Sequence, residues 1–356
     1  MQTLISRLPA CAVPALLLLS GCNRPWQYND GEYPYTTLDP STDFGEAIMG
    51  VYSTITWVTI VIFIIVTAIM AVTLVRFRDD GGAPPEQIHG NTQMEIGWTL
   101  APVVIVVLLM VPTVRTIFEI ADAAPDGSLE VRVIGKRWWW AFEYVESGVV
   151  TANELHLPAN RPVSLLIESD TVIHSFWTPR LGGKRDAVPG RINRMWFTIT
   201  DDIQKGAPET YLGECAEYCG EAHSRMLYQV VGHEASEFDQ WLADYTKPVA
   251  VSGLAAKGEA HFNNNCASCH SLSGNDQAKG VQGPNLTKIG ARKMIASGIH
   301  ENNTDNLKQW LRDPDVLKPG TTKKNNPSRA LDGMNIPKEL SEEEIEAIVA
   351  YLQAQK

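Results

Sequence analysis

Two groups of cysteine, histidine and methionine residues have the spacing of cofactor ligands. The first group offers two thiols, an imidazole and a thioether within twelve residues, at Cys215, Cys219, His223 and Met226. Soft sulfur and nitrogen ligands select copper over the hard cations, whereas zinc rarely uses methionine. A local disulfide or half of a zinc site is the alternative for the two cysteines. With the distant His174 as a second imidazole, the pattern favours copper.

The second group is Cys266-x-x-Cys269-His270, the attachment sequence of a c-type haem. The alternative is a thioredoxin-like redox pair, which is expected beside a βαβ pattern. The surrounding sequence shows no such pattern, and residues 258–265 have the composition of a helix that runs into the motif. The sequence therefore predicts a covalently bound haem.

The N-terminal segment predicts export. An apolar run at residues 10–19 precedes Ser20, Gly21 and Cys22 and is too short to span a bilayer stably. The segment resembles the lipobox of bacterial lipoproteins, in which cleavage leaves a lipidated Cys22 at the mature N-terminus. The alternative is an uncleaved anchor with an ordinary cysteine. Residues 1–21 are therefore predicted to be a signal peptide, and no structural disulfide is expected.

Two further apolar runs, residues 49–75 and 96–114, are long enough to cross the roughly 30 Å hydrocarbon core of a bilayer as helices. A pair of buried helices in a soluble protein is the alternative, but runs with so few polar residues favour membrane spans. The polar connection at residues 79–95 predicts a cytoplasmic hairpin. Because bacteria attach haem c outside the cytoplasm, we expect both ends of the chain on the outer face.

After the second span, alternating apolar and polar residues at 130–134 and 163–168 predict half-buried β-strands. About 130 residues of this kind indicate a β-sandwich, whose loops meet at one end and can bring His174 to the later ligands. Beyond a linker at 247–256 the chain is predicted to form short helices. They cover 255–264, 306–312 and 341–353, the last with a capping box of Ser341 and Glu344.

The chain has a formal net charge of −11, and no nucleic-acid partner is expected. Residues 116–250 contain 12 Lys and Arg against 20 Asp and Glu, a net charge of −8, whereas residues 251–356 contain 13 against 12. An acidic copper domain would attract a basic partner at low salt. Simple solubility is the alternative explanation of this excess.

Together these features resemble cytochrome c oxidase subunit II in the form that carries a cytochrome c domain at its C-terminus. The resemblance covers nearly the whole chain. Besides the copper motif, it rests on residues 94–100 (MEIGWTL), 137–144 (RWWWAFEY), 174–176 (HSF) and 186–191 (DAVPGR). It implies a two-helix transmembrane hairpin, an all-β cupredoxin-like Greek-key domain and an all-α class I cytochrome c domain. The expected limits are 22–118, 119–246 and 257–356.

The resemblance implies a binuclear copper centre of the CuA type. Its ligands would be two bridging thiolates, one histidine for each copper and one weak ligand for each copper: Cys215 and Cys219, His174 and His223, and Met226 and the backbone carbonyl of Glu217. The Glu217 carboxylate would also help to bind a magnesium ion at the interface with subunit I.

Two residues outside the copper motif also receive roles from the resemblance. Trp138 matches the aromatic residue through which electrons enter, although packing is the more common role of a tryptophan cluster. Glu95, at the cytoplasmic end of the second span, matches a glutamate at the mouth of a proton channel in subunit I. A snorkelling acid at the membrane surface is the alternative.

For the haem, the resemblance implies His270 as one axial ligand and a downstream methionine as the other. Met294 and Met334 are the two candidates. Met294 lies in a stretch that looks helical, whereas Met334 lies in a turn-prone segment, so Met334 is favoured. The sequence Gly283-Pro284 resembles the loop whose proline carbonyl accepts the ring N–H of His270.

These expectations describe the electron-input subunit of a proton-pumping terminal oxidase in the bacterial inner membrane. Electrons would pass from haem c to CuA and then to the oxygen-reducing site of subunit I, with both soluble domains on the periplasmic face. Expected partners are oxidase subunits I and III and a cytochrome c donor. The alternatives are a stand-alone lipoprotein electron carrier and a CuA-containing subunit of a nitrogen-oxide reductase.

Overall fold

The computed structural model describes residues 35–78, 81–82, 87–322, 334 and 339–356. The predicted signal peptide and Cys22 lie outside the described residues. The chain divides into two compact units. Ala47–Glu119 forms the hairpin unit, and Ile120–Lys356 forms most of the outer unit.

Two long helices make up most of the hairpin unit. Helix α1 is Asp43–Arg76 and helix α2 is Thr92–Ala121, with 34 and 30 residues. Both exceed the roughly 20 residues that a bilayer requires, and their apolar stretches are not buried against protein. They contain the predicted spans 49–75 and 96–114. Apolar surface of this length without a protein covering is suited to lipid.

Ten strands and one helix form the described part of the β-domain in the outer unit. These elements are β1 Leu129–Lys136, β2 Trp139–Tyr144, β3 Val150–Ala152, β4 Glu154–Pro158, β5 Val163–Ser169, β6 His174–Trp177, β7 Arg185–Ala187, β8 Asn193–Phe197, β9 Glu209–Cys215, β10 Leu227–His233 and α3 Ala235–Asp244. The strands form two five-stranded sheets, in the orders β3-β2-β1-β5-β8 and β4-β10-β9-β6-β7. Buried and half-buried residues alternate along all of β1, as expected for a strand with one face on the core.

Strand pairing places the first predicted histidine beside the later cysteine motif. Strand β6 begins at His174 and pairs antiparallel with β9, where Phe176 faces Cys215. On its other side β6 pairs with β7, where His174 faces Ala187. Residues that are 41 positions apart thereby meet in one sheet, as the sequence pattern predicted.

The C-terminal domain of the outer unit has four described helices and a two-stranded ribbon. Its elements are α4 Gly253–Asn265, β11 Met294–Ile295, β12 His300–Glu301, α5 Thr304–Arg312, α6 Pro314–Leu317 and α7 Glu342–Ala354. Helices α4 and α7 cross closely because Gly258 has no side chain. A Cβ there would lie 1.9 Å from the carbonyl oxygen of Ala347. The predicted capping box of Ser341 and Glu344 is present at the start of α7.

The junction between the two domains differs from the sequence-based expectation. Helix α4 begins at Gly253, inside the segment 247–256 that is predicted to be a linker. Ser252 is extended and Gly253 has a φ of +60°, a left-handed conformation that glycine adopts readily, so the chain turns into the helix early. Helix α3 has no counterpart in the sequence-based prediction.

The helical prediction around Met294 is wrong, because this residue begins strand β11. The residues that follow explain the difference. Ala296, Ser297 and Gly298 have φ values of +55°, +62° and +79°, which lie outside the right-handed helical region. These residues turn the chain back so that β12 pairs with β11.

Candidate metal centre and haem cavity

The four nitrogen and sulfur atoms expected to bind copper most strongly lie close together. The Sγ atoms of Cys215 and Cys219 are 3.8 Å apart. The Nδ1 atom of His174 lies 3.7 Å from the Cys215 sulfur, and the Nδ1 atom of His223 lies 3.6 Å from the Cys219 sulfur. Each imidazole nitrogen therefore lies against one of the two neighbouring sulfurs.

Two weaker donors complete the cluster. The Sδ atom of Met226 lies 3.9 Å from the Cys219 sulfur. The backbone carbonyl oxygen of Glu217 lies 3.3 Å from the Cys215 sulfur. Between β9 and β10 the loop closes on itself, because the Cys215 N–H donates a 3.1 Å hydrogen bond to the Met226 carbonyl. Donors that are close in the sequence therefore also lie close together in the structure.

Four of the predicted ligands are shielded from water. His174 and Met226 have no exposed surface, and the two cysteines are 5–6% exposed. Among the residues that the structure describes, His174, Cys215 and Cys219 lie close enough together to hold a metal ion. A dry site strengthens electrostatic interactions between a cation and thiolates.

Neighbouring residues fix the ring of His174. A Cβ on Gly135 would lie 2.7 Å from Cδ2 of this ring, so glycine is required for the close approach. The ring of Trp140 meets the imidazole edge-on with centroids 5.8 Å apart. The Oγ1 atom of Thr171 lies 3.5 Å from Nε2, which leaves Nδ1 on the side of Cys215. Sequence reasoning missed Gly135 and Thr171, which belong to no recognisable motif.

The two thiols do not ionise alike. The pKa of Cys215 is lowered, first by the hydrogen bond from the Cys219 thiol and then by the contact with His174. The pKa of Cys219 is raised, mainly because its proton is held by Cys215 and because the residue is buried. The pair therefore loses one proton easily and holds the other until a cation compensates the second negative charge.

The donor set fits copper. Two sulfurs 3.8 Å apart can both lie at the roughly 2.3 Å distance that is typical of metal–thiolate bonds. Two thiolates, two imidazoles and a thioether are the soft and intermediate donors that copper prefers. The side chain of Glu217 is exposed, and magnesium binding by this carboxylate stays a prediction.

A cavity of about 740 Å³ lies beside the predicted haem-attachment motif. The motif residues Cys266, Cys269 and His270 line it. The other walls are largely apolar and include Phe262, Leu286, Ile295, Leu307, Trp310 and Leu352. An apolar cavity with two thiols and one imidazole fits a covalently attached haem.

The ring of His270 is oriented as the family resemblance implied. Its Nδ1 atom lies 2.8 Å from the Pro284 carbonyl, which can only accept a hydrogen bond, so Nδ1 carries the proton. Burial lowers the pKa of His270 and favours the neutral ring with a free Nε2. Gly283 allows this packing, because a Cβ there would lie 2.5 Å from the ring.

Both methionine candidates for the second axial position line the cavity. Met294 enters from strand β11, and Met334 is held by a 3.0 Å hydrogen bond from its N–H to the Thr321 carbonyl. Residues 323–333 and 335–338 lie outside the described residues. The preference for Met334 therefore stays a prediction.

Trp138 lies between the two sites. It occupies the turn between β1 and β2, lines the haem cavity and is 8% exposed. Its indole Nε1–H donates a 3.0 Å hydrogen bond to the carbonyl of Cys219. A Cβ on Gly220 would lie 2.9 Å from the indole ring, so the ring packs directly on the copper loop.

Glu95 lies in the first turn of α2, at the start of the second predicted span. Its Oε1 atom accepts a 3.3 Å hydrogen bond from the N–H of Asn91. This position agrees with the expected end of the span, and the role of Glu95 in proton uptake stays a prediction.

The membrane hairpin, the buried thiol–imidazole cluster and the cavity beside a haem-attachment motif define a membrane-anchored electron-transfer protein. Family models match all three parts. Residues 36–116 match the transmembrane domain of cytochrome c oxidase subunit II, residues 148–232 match its periplasmic domain, and residues 255–356 match cytochrome c.

Two curated relatives are similar over nearly their whole length. Cytochrome c oxidase subunit 2 of Alkalihalophilus pseudofirmus is 35% identical, over 96% of this chain and 94% of its own. The same subunit of Bacillus subtilis is 33% identical, over 96% and 95%. The solved periplasmic domain of cytochrome oxidase subunit II of Bradyrhizobium japonicum is 27% identical with a TM-score of 0.31, covering 34% of this chain and 95% of that one.

The chain belongs to the cytochrome c oxidase subunit II family. It has the transmembrane hairpin, the cupredoxin-like domain and the cytochrome c domain, which confirms the predicted fold class. Membership implies copper in the β-domain, haem c in the C-terminal domain and a subunit I partner in the membrane. The chain therefore has an electron-input role in a terminal oxidase, rather than that of a stand-alone carrier.

Proposed function

We propose that this chain accepts electrons at a haem c, passes them to a binuclear CuA centre and delivers them to the oxygen-reducing site of subunit I. One observation carries this proposal. Trp138 lines the haem cavity, and its indole ring is hydrogen-bonded to the loop that holds the predicted copper ligands. The two predicted cofactor sites are therefore joined through a single residue.

Haem iron and thiolate-bound copper supply reversible one-electron chemistry. The residues of the chain determine where that chemistry occurs. Cys266 and Cys269 would form the covalent attachments, and His270 would offer Nε2 to the iron, with Met334 as the proposed second ligand. The Pro284 carbonyl fixes the tautomer of His270 that this role requires.

The geometry of the cysteine pair supports a binuclear centre. Each imidazole lies against one of the two sulfurs, and the two weak donors lie beside opposite sulfurs. Two metal ions held by the sulfur pair would therefore have two imidazoles and two weak donors within reach. Cys215 and Cys219 would be the bridging thiolates, His174 and His223 would supply one imidazole to each copper, and Met226 and the Glu217 carbonyl would supply one weak ligand to each copper.

Trp138 is the proposed entry point to the copper centre. A path through its ring and the hydrogen bond to the Cys219 carbonyl avoids a gap through solvent. A surface cleft of about 380 Å³ beside Cys215 and His223 is the proposed side of exit towards subunit I. Half-buried His223 contributes directly to that cleft.

The remaining assignments concern the membrane and the complex. We place both soluble domains on the periplasmic face of the bacterial inner membrane, with a lipidated Cys22 and domain limits of 22–118, 119–246 and 257–356. Glu95 would feed a proton channel of subunit I, and the complex would pump protons. Subunit III, a cytochrome c donor and a magnesium ion near Glu217 complete the proposal.

Flash reduction of the haem in the purified oxidase complex tests the route. A photoexcited soluble reductant should reduce the haem first, and the haem signal should then decay as the copper absorption changes. The second phase should be first-order and independent of enzyme concentration, because both sites lie in one chain. Direct reduction of the copper, with no transfer from the haem, would contradict the proposed order.

A further inference from the structure

Three polar groups meet where the C-terminal domain touches the turn between β1 and β2. The Trp138 carbonyl accepts a 2.9 Å hydrogen bond from Oγ of Ser297 and a 2.5 Å hydrogen bond from Nζ of Lys318. Nζ of Lys318 also donates to Oγ of Ser297, at 2.7 Å. Trp138 is 8%, Ser297 5% and Lys318 4% exposed, so the group is buried at the domain contact.

We propose that Ser297 and Lys318 are positioning residues that lock the C-terminal domain onto the Trp138 turn. We call these two side chains and the Trp138 carbonyl the interdomain lock. The inference rests on the proposed function, because it explains how the haem cavity is held at the entry point to the copper centre. It adds a role for two residues that belong to neither the copper motif nor the haem-attachment motif.

The ribbon of the C-terminal domain is shaped to present Ser297. Ala296 and Ser297 have positive φ values, which cost free energy in residues that carry a Cβ. The turn places the Ser297 hydroxyl against the Trp138 carbonyl. Gly298 packs beside β10, since a Cβ there would lie 3.3 Å from Cβ of Leu227. The ribbon is thus fitted to the surface of the β-domain.

Lys318 follows helix α6 and carries its ammonium group into the contact. Burying an ammonium group is unfavourable unless hydrogen bonds replace its water. The Ser297 hydroxyl, in the same domain, replaces part of that water. The Trp138 carbonyl replaces another part, and it does so only when the two domains are in this arrangement. Hydrogen bonds from charged donors are stronger than neutral ones, so Lys318 selects one docking geometry.

Trp138 connects the lock to the copper loop. Its carbonyl belongs to the lock, while its indole Nε1–H is bonded to the Cys219 carbonyl. Fixing the backbone of Trp138 therefore sets the position of the haem cavity relative to the copper ligands. A second hydrogen bond between the domains, 3.0 Å from the Tyr245 hydroxyl to the Thr287 carbonyl, limits rotation about the lock.

When the C-terminal domain is held in place, electron transfer does not have to wait for the domain to diffuse to the β-domain. If only the linker held the C-terminal domain, each transfer would wait for the domain to diffuse into place, and its rate would fall as solvent viscosity rises. With the lock, the rate should be independent of viscosity. It should also change little with salt, because a buried ammonium–carbonyl contact is screened far less than surface charges.

The test uses the intact oxidase complex with Lys318→Met, which keeps the apolar stem and removes the charge. Lys308→Met is the matched control, because the Lys308 ammonium pairs with Glu346 inside the C-terminal domain. Hydrogen exchange should show protection of the segment 294–300 reduced by at least roughly tenfold in Lys318→Met, since one charge-assisted hydrogen bond is lost. Lys308→Met should keep the protection of the unmodified complex.

Transfer kinetics give the second measurement. Transfer from the haem to the copper in Lys318→Met should slow and become dependent on glycerol concentration, while the absorption spectra of the haem and of the copper stay unchanged. Damage to either domain would instead alter one of these spectra. Unchanged exchange and unchanged kinetics would overturn the lock and leave the proposed electron route standing.

Ser297→Ala decides the question if Lys318→Met does not assemble. It removes one donor to the Trp138 carbonyl and should also raise exchange in the segment 294–300. Protection equal to that of the unmodified complex would overturn the proposal. If the unmodified complex shows no haem-to-copper transfer, the proposed function fails, and the exchange measurements still test the lock independently.

Discussion

The indole nitrogen of Trp138 donates a 3.0 Å hydrogen bond to the backbone carbonyl of Cys219. The ring also packs against Gly220, where a Cβ would lie 2.9 Å from it. A residue from the β1–β2 turn is thereby attached to the loop that contains most of the predicted copper ligands. This contact explains why a tryptophan, with an N–H at the edge of a large ring, occupies position 138.

Replacing Trp138 by Phe should slow electron transfer into the copper centre while leaving copper bound. The phenyl ring keeps part of the packing but cannot donate to the Cys219 carbonyl, which should also cost about 1 kcal/mol of stability. Flash-induced reduction of the copper measures the rate. Trp196→Phe is the control, because it removes a similar indole hydrogen bond, to the Asp122 carbonyl, away from both sites. Equal rates in the two variants would refute the role of Trp138.

Replacing Cys215 or Cys219 by Ser should abolish the binuclear copper centre. A hydroxyl cannot supply the soft bridging sulfur, so the purple mixed-valence absorption and the electron spin shared by two coppers should both disappear. Metal analysis and electron paramagnetic resonance measure these properties. Tyr218→Phe, on an exposed side chain of the same loop, should keep both. A blue spectrum from a single copper in the unmodified protein would exclude the bridged pair.

The copper ligands could be predicted because most of them are close in sequence. Cys215 and Met226 close one loop, so spacing alone brings the donors between them together. His174 could be added because strand alternation predicts a sandwich that gathers distant loops. The orientation of His270 could be predicted only through the family resemblance of the Gly283-Pro284 loop, whose proline carbonyl accepts the ring N–H.

The interdomain lock could not be predicted from the sequence. Ser297 and Lys318 are 159 and 180 positions from Trp138, and their common acceptor is a backbone carbonyl, which every residue has. Such a contact leaves no pattern of residue types. The positive φ values at Ala296 and Ser297 are equally hidden, since alanine and serine rarely adopt a left-handed conformation.

Replacing Met334 by Ala should remove the absorption band of the sulfur–iron bond and lower the haem potential, because a thioether stabilises ferrous iron. Electron flow into copper should fall although every copper ligand is intact. Met294→Ala is the matched control, since Met294 lines the same cavity from strand β11. It should leave the band and the potential nearly unchanged. The reverse result would assign the axial position to Met294.

The β-domain should lose stability as the pH falls from 6.5 towards 4. Burial, together with the neighbouring His156, lowers the pKa of His233 from 6.5 to about 4. The unfolded chain therefore binds a proton at His233 in a range where the folded chain does not, and protonation favours unfolding. This contribution is fully present above pH 6.5 and is lost as the pH falls through the folded pKa.

Thermal loss of the copper absorption, followed between pH 4 and pH 7, measures this effect. His233→Gln should show a weaker dependence on pH than the unmodified protein. His261→Gln, which changes a half-exposed histidine of the C-terminal domain, is the control and should keep the original dependence. An unchanged dependence in His233→Gln would place the titrating group elsewhere.

Replacing Glu95 by Gln should slow the turnover of the complex without slowing reduction of the copper by the haem. Glu95 lies in the first turn of α2, while Trp138 and the copper ligands belong to the outer unit. Gln keeps the size and the hydrogen-bond acceptor but cannot carry a proton. If Glu95 feeds a proton channel, oxygen reduction becomes limited by proton supply, and electrons should accumulate on copper and haem during turnover.

Glu119→Gln, near the other end of the same helix, is the control and should turn over normally. Equal slowing of both steps, or of neither, would show that Glu95 has no part in proton uptake and acts as a surface acid at the end of its span.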